Sequence, residues 1–128
     1  MIETTSLELS KKLFATLTEA GVVPDAYLVW VKSLCSGIEK RVKRGTCSTA
    51  DWCYIAPAFT ACELDKLLPN EIDDGTGNFF IYRSGKFWGY RDPDGRFLVE
   101  LQGTKPLAEK MGDLLLLLYE NGHMEKGE

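Results

Sequence analysis

Residues 78–101 read NFFIYRSGKFWGYRDPDGRFLVEL, and this stretch decides the fold. Three runs rich in aromatic and β-branched residues, about 78–83, 86–91 and 96–101, are separated by two turn signals. Ser84-Gly85 reads as a two-residue hairpin loop in which glycine supplies a positive φ. Asp92-Pro93-Asp94-Gly95 reads as a type I turn with proline at its second position, closed by a left-handed glycine. The run is therefore an antiparallel meander. The first turn places Tyr82 opposite Phe87 and Phe80 opposite Gly89. The second, as a three-residue loop, places Phe87 opposite Leu101 and Gly89 opposite Val99. One face then carries Phe80, Tyr82, Phe87, Phe97, Val99 and Leu101 and is expected to be the helix-covered core. The other carries Phe79, Ile81, Trp88, Tyr90 and Leu98, edged by Arg83, Lys86 and Glu100. A four-residue second turn would shift the last strand by one and exchange its faces. In either register the middle strands are apolar on both sides, and one layer of helices covers only one. The Phe79, Ile81, Trp88, Tyr90 and Leu98 face is thus a candidate partner face. The alternative is that the 34–51 segment or a helix of the same chain folds over it.

Upstream, Thr60-Ala61-Cys62-Glu63 is a capping box that opens a helix with an Ala61, Leu64, Leu67, Leu68 stripe, stopped by Pro69. Asn70 to Gly77 is an acidic loop. Trp52 to Ala56 reads as a short strand halted by Pro57, and Tyr27 to Val31 as a strand apolar on both faces. Between these two strands lies the 34–51 connection, long, basic and without period. The first helix is expected over about 6–20, from the box Thr5-Ser6-Leu7-Glu8, with Leu9, Leu13, Leu17 and Ala20 on one face. Gly21 and Pro24 end it. Downstream, Thr104 caps a last helix over about 105–121, with Leu107, Met111, Leu114, Leu115 and Leu118 in its stripe. Leu116 and Leu117 turn away from that stripe, so this helix either wedges into the core on two sides or also meets a partner. The order α-β-β-α-β-β-β-α gives one α+β domain over 1–128, with a mostly antiparallel sheet and helices packed on it.

The chain has 128 residues, 45% hydrophobic, which suits one folded domain rather than a disordered chain. Its longest apolar run, Leu114 to Tyr119, is far short of the roughly 20 residues of a membrane span. Met1 to Thr5 shows neither a basic nor an apolar signal segment, so a cytoplasmic protein with no membrane contact is expected. The net charge of −4 argues against a globally basic nucleic-acid binder.

The chemistry-bearing residues are sparse. Cys35, Cys47, Cys53 and Cys62 lack the close spacing of zinc ligands, so buried or half-buried free thiols and no metal are expected. The single histidine, His123, lies near the end of the sequence, which leaves Ser-His and Cys-His catalysis without support. Residues 32–44 hold Lys32, Lys40, Arg41, Lys43 and Arg44 against Glu39 alone, a local charge of +4. Lys40, Arg41, Lys43 and Arg44 are candidate phosphate contacts; the plainer reading is a solvated loop tip. Glu71, Asp73 and Asp74 lack the spacing of a calcium loop, and no phosphate-binding glycine motif occurs.

Four features resemble small uncharacterised proteins encoded by phages, prophages and mobile elements of Bacteroides-group bacteria. They are Leu7-x-Leu9-Ser10-x-x-Leu13, Trp30 in the first strand, Ala56-Pro57 with Thr60 and Glu63-Leu64-x-x-Leu67-Leu68-Pro69, and Ala108-x-x-Met111 leading to Leu118-x-x-Asn121-Gly122. The 34–51 connection is longer and more basic than that pattern. The resemblance implies no activity and transfers no catalytic residue. The expectation is a non-enzymatic accessory or interaction protein of a mobile element, without cofactor, meeting a macromolecular partner, in the first place protein, or a second copy of itself. The alternative is a nucleic-acid-binding regulator that uses the 32–44 segment.

Overall fold

The computed structural model describes residues 3–22, 26–44, 52–84, 87–103 and 105–124. The chain runs α1 (Leu7–Glu19), β1 (Leu28–Ser33), β2 (Glu39–Lys43), β3 (Trp52–Ala58), α2 (Ala61–Leu67), β4 (Glu71–Asp73), β5 (Asn78–Ser84), β6 (Phe87–Arg91), β7 (Phe97–Gln102) and α3 (Leu107–Glu120). The fold is α+β and the expected elements come in the expected order. Two short strands, β2 and β4, add to them. The strands form two antiparallel sheets, β2-β1-β3 and β4-β5-β6-β7. α1 packs on β3 and α3, and α3 packs in turn on α2, β6 and β7. The helices therefore lie between the two sheets.

At the first helix the cap differs from expectation. Ser6, not Thr5, is the N-cap, and its Oγ accepts from the Leu9 N–H at 3.3 Å. Thr5 is fully buried, and its Oγ1 accepts from the Phe59 N–H and bonds the Ser10 hydroxyl at 2.6 Å. A threonine in the core must satisfy its hydroxyl there, which draws Thr5 away from the helix end. The Thr5 N–H also donates to the Phe59 carbonyl, so this residue ties the start of the chain to the end of β3.

The last helix has no side-chain cap from its own N-cap residue, Pro106; Thr104 lies outside the described residues. Glu3 supplies the cap instead, its carboxylate accepting from the Ala108 N–H at 2.9 Å. In return the Ser6 N–H donates to the Glu109 carboxylate. Each helix start thus borrows a carboxylate from the other segment, which suits the positive end of a helix. The two helices come closest at Gly112, where a Cβ would fall 2.8 Å from Leu9 Cδ2.

The leucine run is accounted for inside the chain. Leu114, Leu115 and Leu118 are fully buried, and Leu116 and Leu117 are half-buried against the same core. The capping box of α2 forms as expected, with Thr60 Oγ1 accepting from Glu63 N–H and the Glu63 carboxylate from Thr60 N–H. β3 continues through Pro57 to Ala58 rather than stopping before it. It is an edge strand, where a missing N–H breaks no ladder.

The 34–51 connection is not one long loop. Residues 39–43 form β2, paired with β1 so that Val42 faces Val29, while 45–51, with Cys47, lie outside the described residues. Gly37, at φ 73°, permits the tight β1–β2 turn, whose Ser33 N–H donates to the Ile38 carbonyl. Cys35, Cys53 and Cys62 are free, and all three are exposed rather than buried.

Candidate functional site

The register of the second sheet decides which residues it offers to a partner. β5 and β6 pair Ser84 with Phe87 and Tyr82 with Gly89. This is two residues from the expected pairing, an even shift that leaves each side chain on its own face. The second turn is a three-residue loop as expected: the Asp92 N–H donates to the Arg96 carbonyl, and Gly95 has φ 89°. Asp92 stabilises it by accepting from the Asp94 and Arg96 N–H groups. Beyond the turn, however, the ladder steps from Arg91–Phe97 to Tyr90–Val99. Leu98 is the extra residue of a β-bulge, and it moves Val99 and Leu101 to the opposite face from Phe97.

Two corrections follow. The Phe79, Ile81, Trp88, Tyr90 face is not a partner face but the side covered by the chain's own helices. Phe79 and Tyr90 are buried, Ile81, Trp88 and Leu98 are half-buried against the same core, and Val99 and Leu101 join them. Tyr90 reaches through this layer to donate its hydroxyl to the Pro69 carbonyl. Burial pushes its phenol well above the usual range. Arg83 lies 5.1 Å over the Trp88 ring and pairs with Asp65 of α2 at 2.5 Å.

The outer face is the one expected to be core. Its cross-strand rows are Glu71–Phe80–Arg91–Phe97 and Tyr82–Gly89–Glu100, with Asp73–Asn78 at one end and Phe87–Gln102 at the other. Phe80 and Phe87 are 44% and 40% exposed. The Arg91 guanidinium lies 4.0 Å over the Tyr82 ring, and Tyr82 meets Phe97 edge-on at 5.9 Å. A hollow of about 210 Å³ opens between Phe80, Tyr82, Arg91, Asp92 and Pro93. Gly89 keeps the middle of the face flat, because a Cβ there would fall 2.1 Å from the Val99 carbonyl oxygen.

The first sheet gathers the basic residues. By strand alternation Arg41 shares a face with its partner Trp30, and both reach back to the chain's start. Arg41 donates to Thr4 Oγ1 at 2.7 Å, and the Trp30 indole N–H donates to the Thr5 carbonyl. Lys40 lies on the other face, in one row with Val31 and Tyr54, and its Nζ sits 4.3 Å over the Trp52 ring. Arg44 pairs with Tyr27 through its backbone N–H, and Lys43 lies 5.8 Å over the Tyr27 ring. The four candidate phosphate contacts are thus divided, with Arg41 engaged in holding the fold.

His123 stands at the end of α3, its N–H bonded to the Leu118 carbonyl. It borders an open hollow of about 480 Å³ with Ile72, Asp73 and Asp74. Asp73 accepts from the Gly75 N–H, and Asp74 from the Thr76 N–H and hydroxyl, bonds that hold the Asp74 carboxyl below the usual range. These carboxylates organise their own turn, and no group of three metal-ligating side chains occurs among the described residues. Among the same residues, no helix is long and apolar enough to cross a membrane.

Comparison with family models, with curated proteins and with solved structures finds no match.

Proposed function

We propose that the protein is a non-enzymatic interaction module that associates with a second copy of itself through the outer face of the second sheet. This specifies the accessory or interaction role expected from the sequence. The observation that carries the reading is the row Glu71–Phe80–Arg91–Phe97, which sets a cation between aromatic rings with a carboxylate at one flank, and Glu100 stands in the neighbouring row. Aromatic residues and arginine are the types that concentrate at the centres of protein interfaces. A second copy is the fitting occupant because the pattern is self-complementary. A two-fold axis near Arg91 lays rings on rings and brings each Arg91 toward the other copy's Glu71 or Glu100. Light scattering across a range of concentrations tests this. The wild type gives the mass of a dimer, and Phe80→Glu gives a monomer with an unchanged far-ultraviolet spectrum. A wild type that stays monomeric up to its solubility limit overturns the proposal.

A further inference from the structure

The hairpin that joins β1 to β2 ends in an apolar tip, on the other sheet from the surface just described. We propose that this tip docks on the surface of an anionic lipid bilayer. Three observations support it. First, Leu34 and Ile38 stand 65% and 60% exposed, the two highest values among the large apolar residues described. The turn between them already engages its own polar groups. The Ser33 N–H donates to the Ile38 carbonyl and the Gly37 N–H to the Ser33 carbonyl, both at 2.9 Å, and the Ser36 N–H donates to Ser33 Oγ at 3.2 Å. Such a turn costs less to take out of water, and its two apolar side chains gain by leaving it.

Second, cations stand just behind the tip. Lys32 pairs with Glu39, and Lys40 lies opposite Val31, so one exposed lysine belongs to each face of the hairpin. At a strand rise of about 3.3 Å per residue they sit one and two residues behind Ser33. Amphipathic segments bury their apolar side about 5–10 Å into a membrane, a depth that brings both ammonium groups to the lipid phosphates. Arg41, Lys43 and Arg44 lie farther back and are engaged within the chain, so they are given no contact. The net charge is −4, yet residues 32–44 carry +4, which leaves −8 on the rest. An anionic surface is therefore drawn to this end of the molecule and repelled elsewhere.

Third, a tryptophan stands at the same level. Trp52 pairs with Ser33 at the tip end of the sheet, half-buried, with Lys40 Nζ 4.3 Å over its ring. Tryptophan and lysine are the residues that settle at the boundary between hydrocarbon and water. A second copy is a poorer occupant, because tip against tip sets like charges together. No helix among the described residues is long and apolar enough to cross a membrane, and a docking tip needs none. The expectation of no membrane contact rested on the lack of a spanning or signal segment, which a surface contact does not use.

The probes are vesicles of phosphatidylcholine alone and vesicles with one third phosphatidylserine, and flotation measures the bound protein at low salt. The tip end carries one net positive charge, so the wild type prefers the serine vesicles about fivefold. Leu34→Ser with Ile38→Ser weakens that binding at least about tenfold at fixed charge. Lys32→Glu with Lys40→Glu removes the preference, whereas Lys11→Glu with Lys12→Glu on α1 changes net charge equally and leaves binding within about twofold. Glu39→Gln strengthens binding to the serine vesicles about fivefold, a gain that no unfolded variant mimics. Phe80→Glu leaves vesicle binding unchanged, which separates this surface from the outer face of the second sheet. Far-ultraviolet circular dichroism confirms that each variant is folded. A wild type that floats with neither vesicle overturns the proposal. So does equal loss in the α1 pair, no loss in the Leu34 and Ile38 pair, or no gain in Glu39→Gln. A lower mass of the Leu34 and Ile38 pair without vesicles, by sedimentation velocity, assigns the tip to a second copy and overturns it as well.

Discussion

Tyr90 ties the second sheet to the segment after α2, and it does so with one hydroxyl. Its ring is buried in the common core and its O–H donates to the Pro69 carbonyl. Replacing it by phenylalanine removes that bond at a cost of about 1 kcal/mol at neutral pH. The pH dependence has a definite sign. Burial raises the Tyr90 pKa above the unfolded value of about 10, so the folded chain keeps a proton that the unfolded chain loses. Its stabilising effect is complete below about pH 10 and is lost as pH climbs further. Burial raises Tyr54 and Tyr119 in the same direction. Urea unfolding at successive pH values from 8 to 11 should therefore show stability falling above about pH 10, with a smaller fall in Tyr90→Phe. An equal fall in both proteins would show that Tyr90 ionises freely while folded. Gly89 is the other single residue on which the sheet turns. Gly89→Ala sets a methyl against the Val99 carbonyl and should cost about 1–3 kcal/mol or more by thermal unfolding. A loss under about half a kcal/mol would mean that the strand relaxes around it.

At the scale of elements, two threonines of similar sequence context do different work. Thr60 caps α2 through a complete box, and Thr60→Ala should lower stability by about 1 kcal/mol. Thr5 has the same T-x-x-E pattern, yet it bonds the Phe59 N–H and the Ser10 hydroxyl in the core. Thr5→Ala leaves the buried Phe59 N–H without its partner, while the Ser10 hydroxyl keeps the Thr5 carbonyl, at a cost of about 2 kcal/mol. Equal losses for the two variants, measured by urea unfolding, would contradict this division. The sequence pattern announces a helix start in both places, because the local spacing is the same. Which threonine is drawn inward depends on β3, more than fifty residues away from Thr5 in the chain. The long helices and the meander were legible because their stripes and turns repeat locally. β2 was not, since Glu39-Lys40-Arg41-Val42-Lys43 has one apolar residue and gains its pairing from β1. β4 is three residues long, too short to show a period.

For the whole molecule, the helices pack between the two sheets. The expectation that the middle strands are apolar on both faces holds, and so does the consequence that one face is left outside the helical layer. Which face that is could not be read from the turns. The second turn forms as its sequence predicts, while the first pairing is displaced by two residues; the bulge at Leu98 has no glycine or proline to mark it, and it alone moves Val99 and Leu101 inward. Phe80 and Phe79 are adjacent and identical in type, so composition gives no help either. The structure sets Phe79 in the core, at 2% exposure, and Phe80 outside, at 44%. The most direct test of the account compares these two neighbours by sedimentation velocity over a range of concentrations. The wild type should sediment as a dimer, Phe80→Glu as a folded monomer, and Phe79→Glu as an expanded or aggregated chain. A folded Phe79→Glu together with a Phe80→Glu that sediments like the wild type would contradict both the face assignment and the proposed association.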